Sequence, residues 1–456
     1  MPQLRNITSK YTVLLVLLIP CEISVKISGK ELSCIGGLET RNQRNISACI
    51  ASPVCKTGLY VQGFGLHLLT TVLKTSAASP ADNNNTKSSG AFLSPLSIFY
   101  ALTLAVNAAG VNSTTENQIL TLLSGCPVSA GEKTLDLSSL NNMLFRFSSS
   151  WTPYSLPVGI ILPNVSISAS KFALANGIFT YKSNPKPSYI SKMKRLFKAQ
   201  VEAVQGAAEV NAWIDNATNG LIPTLLPETA SFNVALVNAL YFKGNWSQKF
   251  NPAETQVSPF AAPGGSVNVD MMSKTYYGAV ISSVPGVYDS ITLDYSGPWG
   301  FTASFYLPAT NSTPLFDVLM SIANKTEVVT SQPATTSLLL PKFKISTQMD
   351  LGSVLKSMGM TDAFDPNLAN FSRLIRQTPT FITSVLHEAV VSINESGTEA
   401  AAATAVEIMT TSVYGGPTSY QLSFNRPFVM TLDMAQGSVP LFVGVVDSPT
   451  AASSST

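Results

Sequence analysis

The chain of 456 residues contains two histidines, His67 and His387. Any Ser-His-Asp chemistry would need one of them as its base. His67 sits in FGLHLLTTVLK, where apolar residues recur at helical spacing, and reads as a surface or core-edge residue. His387 lies in TSVLHEAVVSIN, an apolar strand pattern. A hydrogen-bonded core histidine is the simpler reading there than a catalytic base. The chain has no G-x-S-x-G elbow, H-E-x-x-H, Walker loop or G-x-G-x-x-G. It also lacks C-x-x-C, which argues against a zinc or thioredoxin-like site. No enzyme activity, metal or cofactor is expected.

The unusual stretch is NESGTEAAAATAVEIMTTSVYGGPTSYQLSFNRPF, Asn394 to Phe428. Alanine favours helix, but the run follows a strand pattern and has no good helix stop. Read with period two, Thr398, Ala400, Ala402, Thr404, Val406 and Ile408 share a face, all uncharged and the first four small. Glu399 and Glu407 fall on the opposite face. A strand that must slide between two existing strands needs this pattern. Gly397 offers a backbone pivot. The segment suits an exposed loop in one state and a buried strand in another.

The elements around it are mixed. SPLSIFYALTLAVNAAG starts a helix with Ser94 as N-cap and Pro95 at its first position. A helical pattern starts near Gly63, and KPSYISKMKRLFKAQ and AAEVNAWIDNATNG read as helices. FNVALVNALYFKG, LLLPKFKIST, TSVLHEAVVSIN and PFVMTLDM read as strands, several apolar on both faces. The expected class is α+β in one large domain. The basic run from Lys192 to Lys198 reads as the wet face of a helix, with Leu196 and Phe197 facing in; a polyanion site is the alternative.

Arg5 and Lys10 precede the apolar run from Thr12 to Pro20, which is too short to span a bilayer. This describes a signal peptide over about residues 1–24, with a signal anchor as the alternative. An N-terminal extension (25–60), a main domain (61–450) and a short tail (451–456) follow. Secretion would make the sequons glycosylation candidates: Asn45, Asn84, Asn112, Asn164, Asn216, Asn311, Asn324 and Asn370. Asn245 and Asn394 also head sequons, but they lie on inferred strands and are expected to be unmodified. Cys21 leaves with the signal, and Cys34, Cys49, Cys55 and Cys126 allow three pairings. A net charge of +2 argues against a bulk nucleic-acid binder. No later stretch is long and apolar enough for a membrane span.

The segments SPLSIFYAL, VNAWIDNATNGLIPTLLP, LVNALYFKGNW, LPKFKIS, INESGTEAAAATA, FNRPF and GSVPLFVGVVDSP together resemble the serpins, over nearly all of Gly63 to Pro449. Loop insertion in serpins is an established example of strand addition and switching. The resemblance implies one domain of three sheets and about nine helices, with an exposed reactive loop, here 395–423.

It also implies site residues. The hinge is Glu395 to Ala403: Glu395, Gly397, Thr398, Glu399, Ala400, Ala401, Ala402 and Ala403. Ser94, Ser97, Asn238 and His387 match the polar cluster, called the shutter, beneath the central strands. Lys342, Glu395 and Trp246 match groups at the opening where insertion begins. Counting from Gly397 places the scissile bond at Thr411–Ser412, with Met409 and Tyr414 as rival points. The implied activity is inhibition of a secreted protease, serine class first, elastase-like or chymotrypsin-like. A papain-like target and a non-inhibitory carrier are alternatives. The chain is expected to be a monomer that binds neither nucleic acid nor membrane.

Overall fold

Strands with apolar residues on both faces must be covered on both sides, and the strand Val234–Asn245 is the clearest case. From Val234 to Leu240 every residue is buried. Leu236, Leu240 and Phe242 join the main core with Leu96 and Phe99 of the helix Pro95–Ala108. Ala235, Val237 and Ala239 face the other way, into a second core with Val210 and Ile214 of the helix Ala207–Ala217. A computed structural model of the chain describes residues 53–78, 92–124, 135–151, 171–398 and 419–449, apart from short gaps, and two short strands at 26–27 and 30–31.

The central sheet has six strands. Across it run Phe343–Asp350, Ile382–Asn394, the two-residue strand Gly397–Thr398, Val234–Asn245, Lys171–Tyr181 and Gln200–Val204. A seven-stranded sheet is built around Thr302–Pro308, Phe428–Met434 and Val439–Val446. A four-stranded sheet carries Ser419–Ser423, Thr335–Pro341, Gly265–Tyr277 and Gln256–Ala262. The described residues form eight α-helices, against about nine expected. None of them is long and apolar enough to cross a membrane.

Two elements differ from the sequence reading. The first helix runs Pro53–Ala78 and so begins ten residues before Gly63. Gly63 and Gly65 weaken the helical signal inside it, but Gly65 is there for packing: a Cβ on it would come within 2.5 Å of Pro95 Cβ. LLLPKFKIST is not one strand. Pro341 ends a strand of the four-stranded sheet, Phe343 begins one of the central sheet, and Lys342 is the corner.

The helix Pro95–Ala108 is buried at every residue. Ser94 caps it, its Oγ accepting from Ser97 N. That cap places two serines directly behind the centre of the sheet.

Candidate functional site

The central sheet has a discontinuity at its middle. Ile382–Asn394 and Val234–Asn245 run parallel and pair directly, Ile382 with Val234 through Val390 with Tyr241. Their other neighbours, Phe343–Asp350 and Lys171–Tyr181, pair with them antiparallel. At one end the parallel pair opens. There Gly397 and Thr398 lie between the two strands, antiparallel to both. Gly397 pairs with Asn394 and Asn245; Thr398 pairs with Ile393 and Gly244.

Glycine is required at position 397. Gly397 has φ 145°, which L side chains rarely adopt. A Cβ there would collide with the backbone oxygen of Gly244. Thr398 is 1% exposed, and its hydroxyl shares a 2.5 Å hydrogen bond with Tyr295 Oη. Burial pushes the Tyr295 phenol well above its ordinary range, so it stays neutral.

The chain leading to Gly397 is fixed by several contacts. Glu395 Oε1 lies 3.2 Å from Lys342 Nζ and accepts from Thr255 Oγ1 at 2.8 Å. Phe250 N donates to Glu395 O, and Trp246 N to Ser396 O, both at 2.9 Å. Trp246 Nε1 donates to Asn394 O at 3.0 Å, and the indole stacks on Tyr295 at 4.3 Å. Asn394 Oδ1 accepts from Ser396 N and Gly397 N, closing the turn.

Below the opening, the two strands are tied by a buried polar cluster. His387 and Asn238 are direct partners in the parallel register. Ser94 N donates to His387 Nε2 at 3.1 Å. Nε2 is therefore the acceptor and Nδ1 carries the proton, which it donates to Asn238 Oδ1 at 2.7 Å. Asn238 Oδ1 also accepts from Ser97 Oγ at 2.5 Å, and its Nδ2 donates to Ser97 O at 2.5 Å and to Asn176 Oδ1 at 2.7 Å. His387 is 0% exposed. Desolvation lowers its pKa to about 3, so the ring is neutral and serves as a hydrogen-bonded strut. Among the described residues, no nucleophile or carboxylate bonds to its ring nitrogens, whose partners are Ser94 N and Asn238 Oδ1.

Of the residues singled out from sequence, Ser94, Ser97, Asn238 and His387 form one cluster, and Lys342, Trp246, Glu395, Gly397 and Thr398 form another. Glu399 to Ala403, Met409, Thr411, Ser412 and Tyr414 lie outside the described residues. So do Cys34, Cys49, Cys126, Asn45, Asn84, Asn164 and Asn324. Asn112, Asn216, Asn311 and Asn370 are exposed. His67 is exposed on the first helix. No group of three or more metal-binding side chains occurs among the described residues.

Sequence reasoning missed Tyr295, Thr255 and Asn176. Asn176 had a signal: it is the one amide in the apolar strand FALANGIF, and a lone polar residue there must find a buried partner. Tyr295 and Thr255 had none, because they reach the site from loops distant in sequence.

Residues 67–449 match the family model described as "Serpin (serine protease inhibitor)". The chain is 30% identical over 405 residues to Serpin-Z7 of Hordeum vulgare, covering 84% of this chain and 95% of that protein. Among solved structures it resembles Serpin48 of the insect Tenebrio molitor, at 21% identity and TM-score 0.70, covering 87% of this chain and 98% of that one. Human thyroxine-binding globulin, solved in complex with thyroxine, is also similar, at 22% identity and TM-score 0.69, covering 88% of this chain and all of that one.

Proposed function

Because the chain belongs to the serpin family, we propose that it is a secreted inhibitor of serine endopeptidases that acts as a suicide substrate, with Thr411–Ser412 as the attacked bond. Members of this family are mainly protease inhibitors rather than enzymes. The observation that carries the reading is the pair Gly397–Thr398, seated antiparallel at the head of a closed parallel junction.

Continuing that register gives the inserted strand. In an antiparallel pair each step along one strand is a step back along the other. Ala400 would then meet Val391 and Phe242, and Ala402 would meet Ala389 and Leu240. Thr404 would land between His387 and Asn238, and Ile408 would reach Val234. The stretch Thr398 to Ile408 thus matches Gly244 to Val234 residue for residue. The inward positions are the small, uncharged ones. One parallel ladder is lost and two antiparallel ladders are gained. The net is about one ladder, on the order of 10 kcal/mol at about 1 kcal/mol per bond.

The protease serine attacks the Thr411 carbonyl, the peptide starting at Ser412 leaves as an amine, and an acyl-enzyme remains. Insertion then carries the attached protease to the far end of the sheet. Distortion of its oxyanion hole removes the stabilisation that deacylation requires. A threonine before the bond favours an elastase-like target. Cleavage after Tyr414 would indicate a chymotrypsin-like one. Secretion rests on the run from Thr12 to Pro20.

The test is incubation with elastase-, chymotrypsin-, trypsin- and papain-like proteases, followed by a denaturing gel. A covalent band near the summed mass, with a released peptide beginning at Ser412, is expected. Cleavage without a complex would overturn the inhibitory reading in favour of a carrier.

A further inference from the structure

The junction between Ile382–Asn394 and Val234–Asn245 has two faces. The cluster of His387 and Asn238 ties the one that looks towards the helix Pro95–Ala108. Side chains alternate along a strand, so Leu386 and Ala239 point to the opposite face. There they join the second core, with Val210 and Ile214 of the helix Ala207–Ala217 and with Leu225 and Leu226 of the loop that follows it. Residues from both sides of the junction thus pack beneath that helix and loop.

One side chain fixes the loop to the helix. Asn211 is buried; its Oδ1 accepts from Leu225 N and Leu226 N, both at 2.9 Å, and its Nδ2 donates to Leu226 O at 2.8 Å. The helix in turn packs on Lys171–Tyr181 and Gln200–Val204, with Trp213 edge-on to Phe179 at 5.1 Å. Helix and loop therefore belong to the half of the sheet that contains Val234–Asn245. A hydrogen bond joins them to the other half. Gln348 lies on the edge strand Phe343–Asp350, which pairs with Ile382–Asn394 and not with Val234–Asn245. Its Nε2 donates to Leu225 O at 2.8 Å. The path from Gln348 through Leu225 to Asn211 bridges the junction.

We propose that Gln348 and Asn211 form a clasp across the junction, a positioning pair that holds the sheet closed before insertion and parts during it. The proposal rests on the inhibitory reading above. An added strand moves its two neighbours apart by one strand spacing, about 4.8 Å. A 2.8 Å hydrogen bond that spans the gap cannot survive that displacement. Gln348 is the end that yields, because it is exposed and holds by one bond, whereas Asn211 is buried and holds by three. The clasp therefore stabilises the closed sheet and contributes nothing to the inserted one. A contact with a merely structural role would stabilise both.

The experiment compares the full chain with its Gln348→Met variant, which keeps the length of the side chain and removes the donor. Thermal midpoints are measured for the intact chain and after a single cut near Thr411. The intact midpoint should fall by about 1–2 °C, as expected for the loss of one hydrogen bond, and the cut midpoint should not move. Uptake of a synthetic peptide of residues 398–408, TEAAAATAVEI, by the intact chain should be about two- to fivefold faster in the variant. An equal fall of the midpoint in both forms, or peptide uptake at the wild-type rate, would overturn the clasp. A wild-type midpoint that does not rise on cutting would overturn the inhibitory reading itself, and the clasp with it.

Discussion

His387 Nδ1 and Asn238 Oδ1 meet at 2.7 Å, and theirs are the strands between which an incoming strand must pass. The bond is a core hydrogen bond in the closed sheet, and in the proposed insertion it is also the gate. If the proposed insertion continues the register of Gly397–Thr398, Thr404 would meet the same point and its hydroxyl would replace the lost contact.

Removing the gate should destabilise the closed sheet. Asn238→Ala leaves His387, Ser97 and Asn176 short of a partner. The expected cost is about 2–4 kcal/mol, since unsatisfied buried groups cost about 1–3 kcal/mol each and partial relaxation limits the sum. A lower thermal midpoint and faster loss of inhibitory activity at 37 °C are expected. An unchanged midpoint would remove the cluster from the account.

The same cluster sets a pH dependence. The His387 pKa is about 3 in the folded chain, against an ordinary value of 6.5. Between these values the unfolded chain binds a proton that the folded one refuses, so this contribution to stability is complete above about pH 6.5 and is lost progressively as pH falls towards 3. Burial raises the Asp433 carboxyl to about 7, and that group stabilises the fold as pH falls from 7, so the His387 share is read as the difference between two profiles. In thermal melts from pH 7.5 to 5 the wild-type midpoint should fall relative to that of His387→Gln; a difference that stays constant across this range would remove His387 from the pH dependence.

Thr398 and Gly397 separate insertion from cleavage. Thr398→Arg places a charge where the wild-type side chain is 1% exposed, and Gly397→Ala meets Gly244 O. Both variants should still be cut at the same bond but behave as substrates, with the stoichiometry of inhibition rising several-fold. A stoichiometry equal to wild type would contradict the entry geometry.

Asn394 should carry no glycan although it heads a sequon. Its side chain closes the turn onto Ser396 N and Gly397 N, beside Trp246 and its bond to Asn394 O. Glycopeptide mapping should find Asn394 unmodified; an occupied Asn394 in inhibitor that still forms complexes would contradict this reading.

Much of this was legible in the sequence because buried strands repeat simple signals. The Ser94–Pro95 cap, the doubly apolar strands and the burial of Thr398 follow from short-range rules. Other features were not legible. The turn of the chain from one sheet to another at Lys342 leaves no local mark, because Pro341 looks the same at a strand end as within an edge strand. The helix start at Pro53 was hidden by glycines, of which Gly65 serves a tertiary purpose, its contact with Pro95. Tyr295 and Thr255 reach Thr398 and Glu395 through folding alone.

The most direct measurement is the thermal midpoint before and after a single cut near Thr411, followed by a crystal structure of the cut form. The account requires the midpoint to rise by tens of degrees and residues 398–408 to pair with Val234–Gly244, with Thr404 against His387. A cut chain that melts where the intact one does, with His387 still bonded to Asn238, would contradict it.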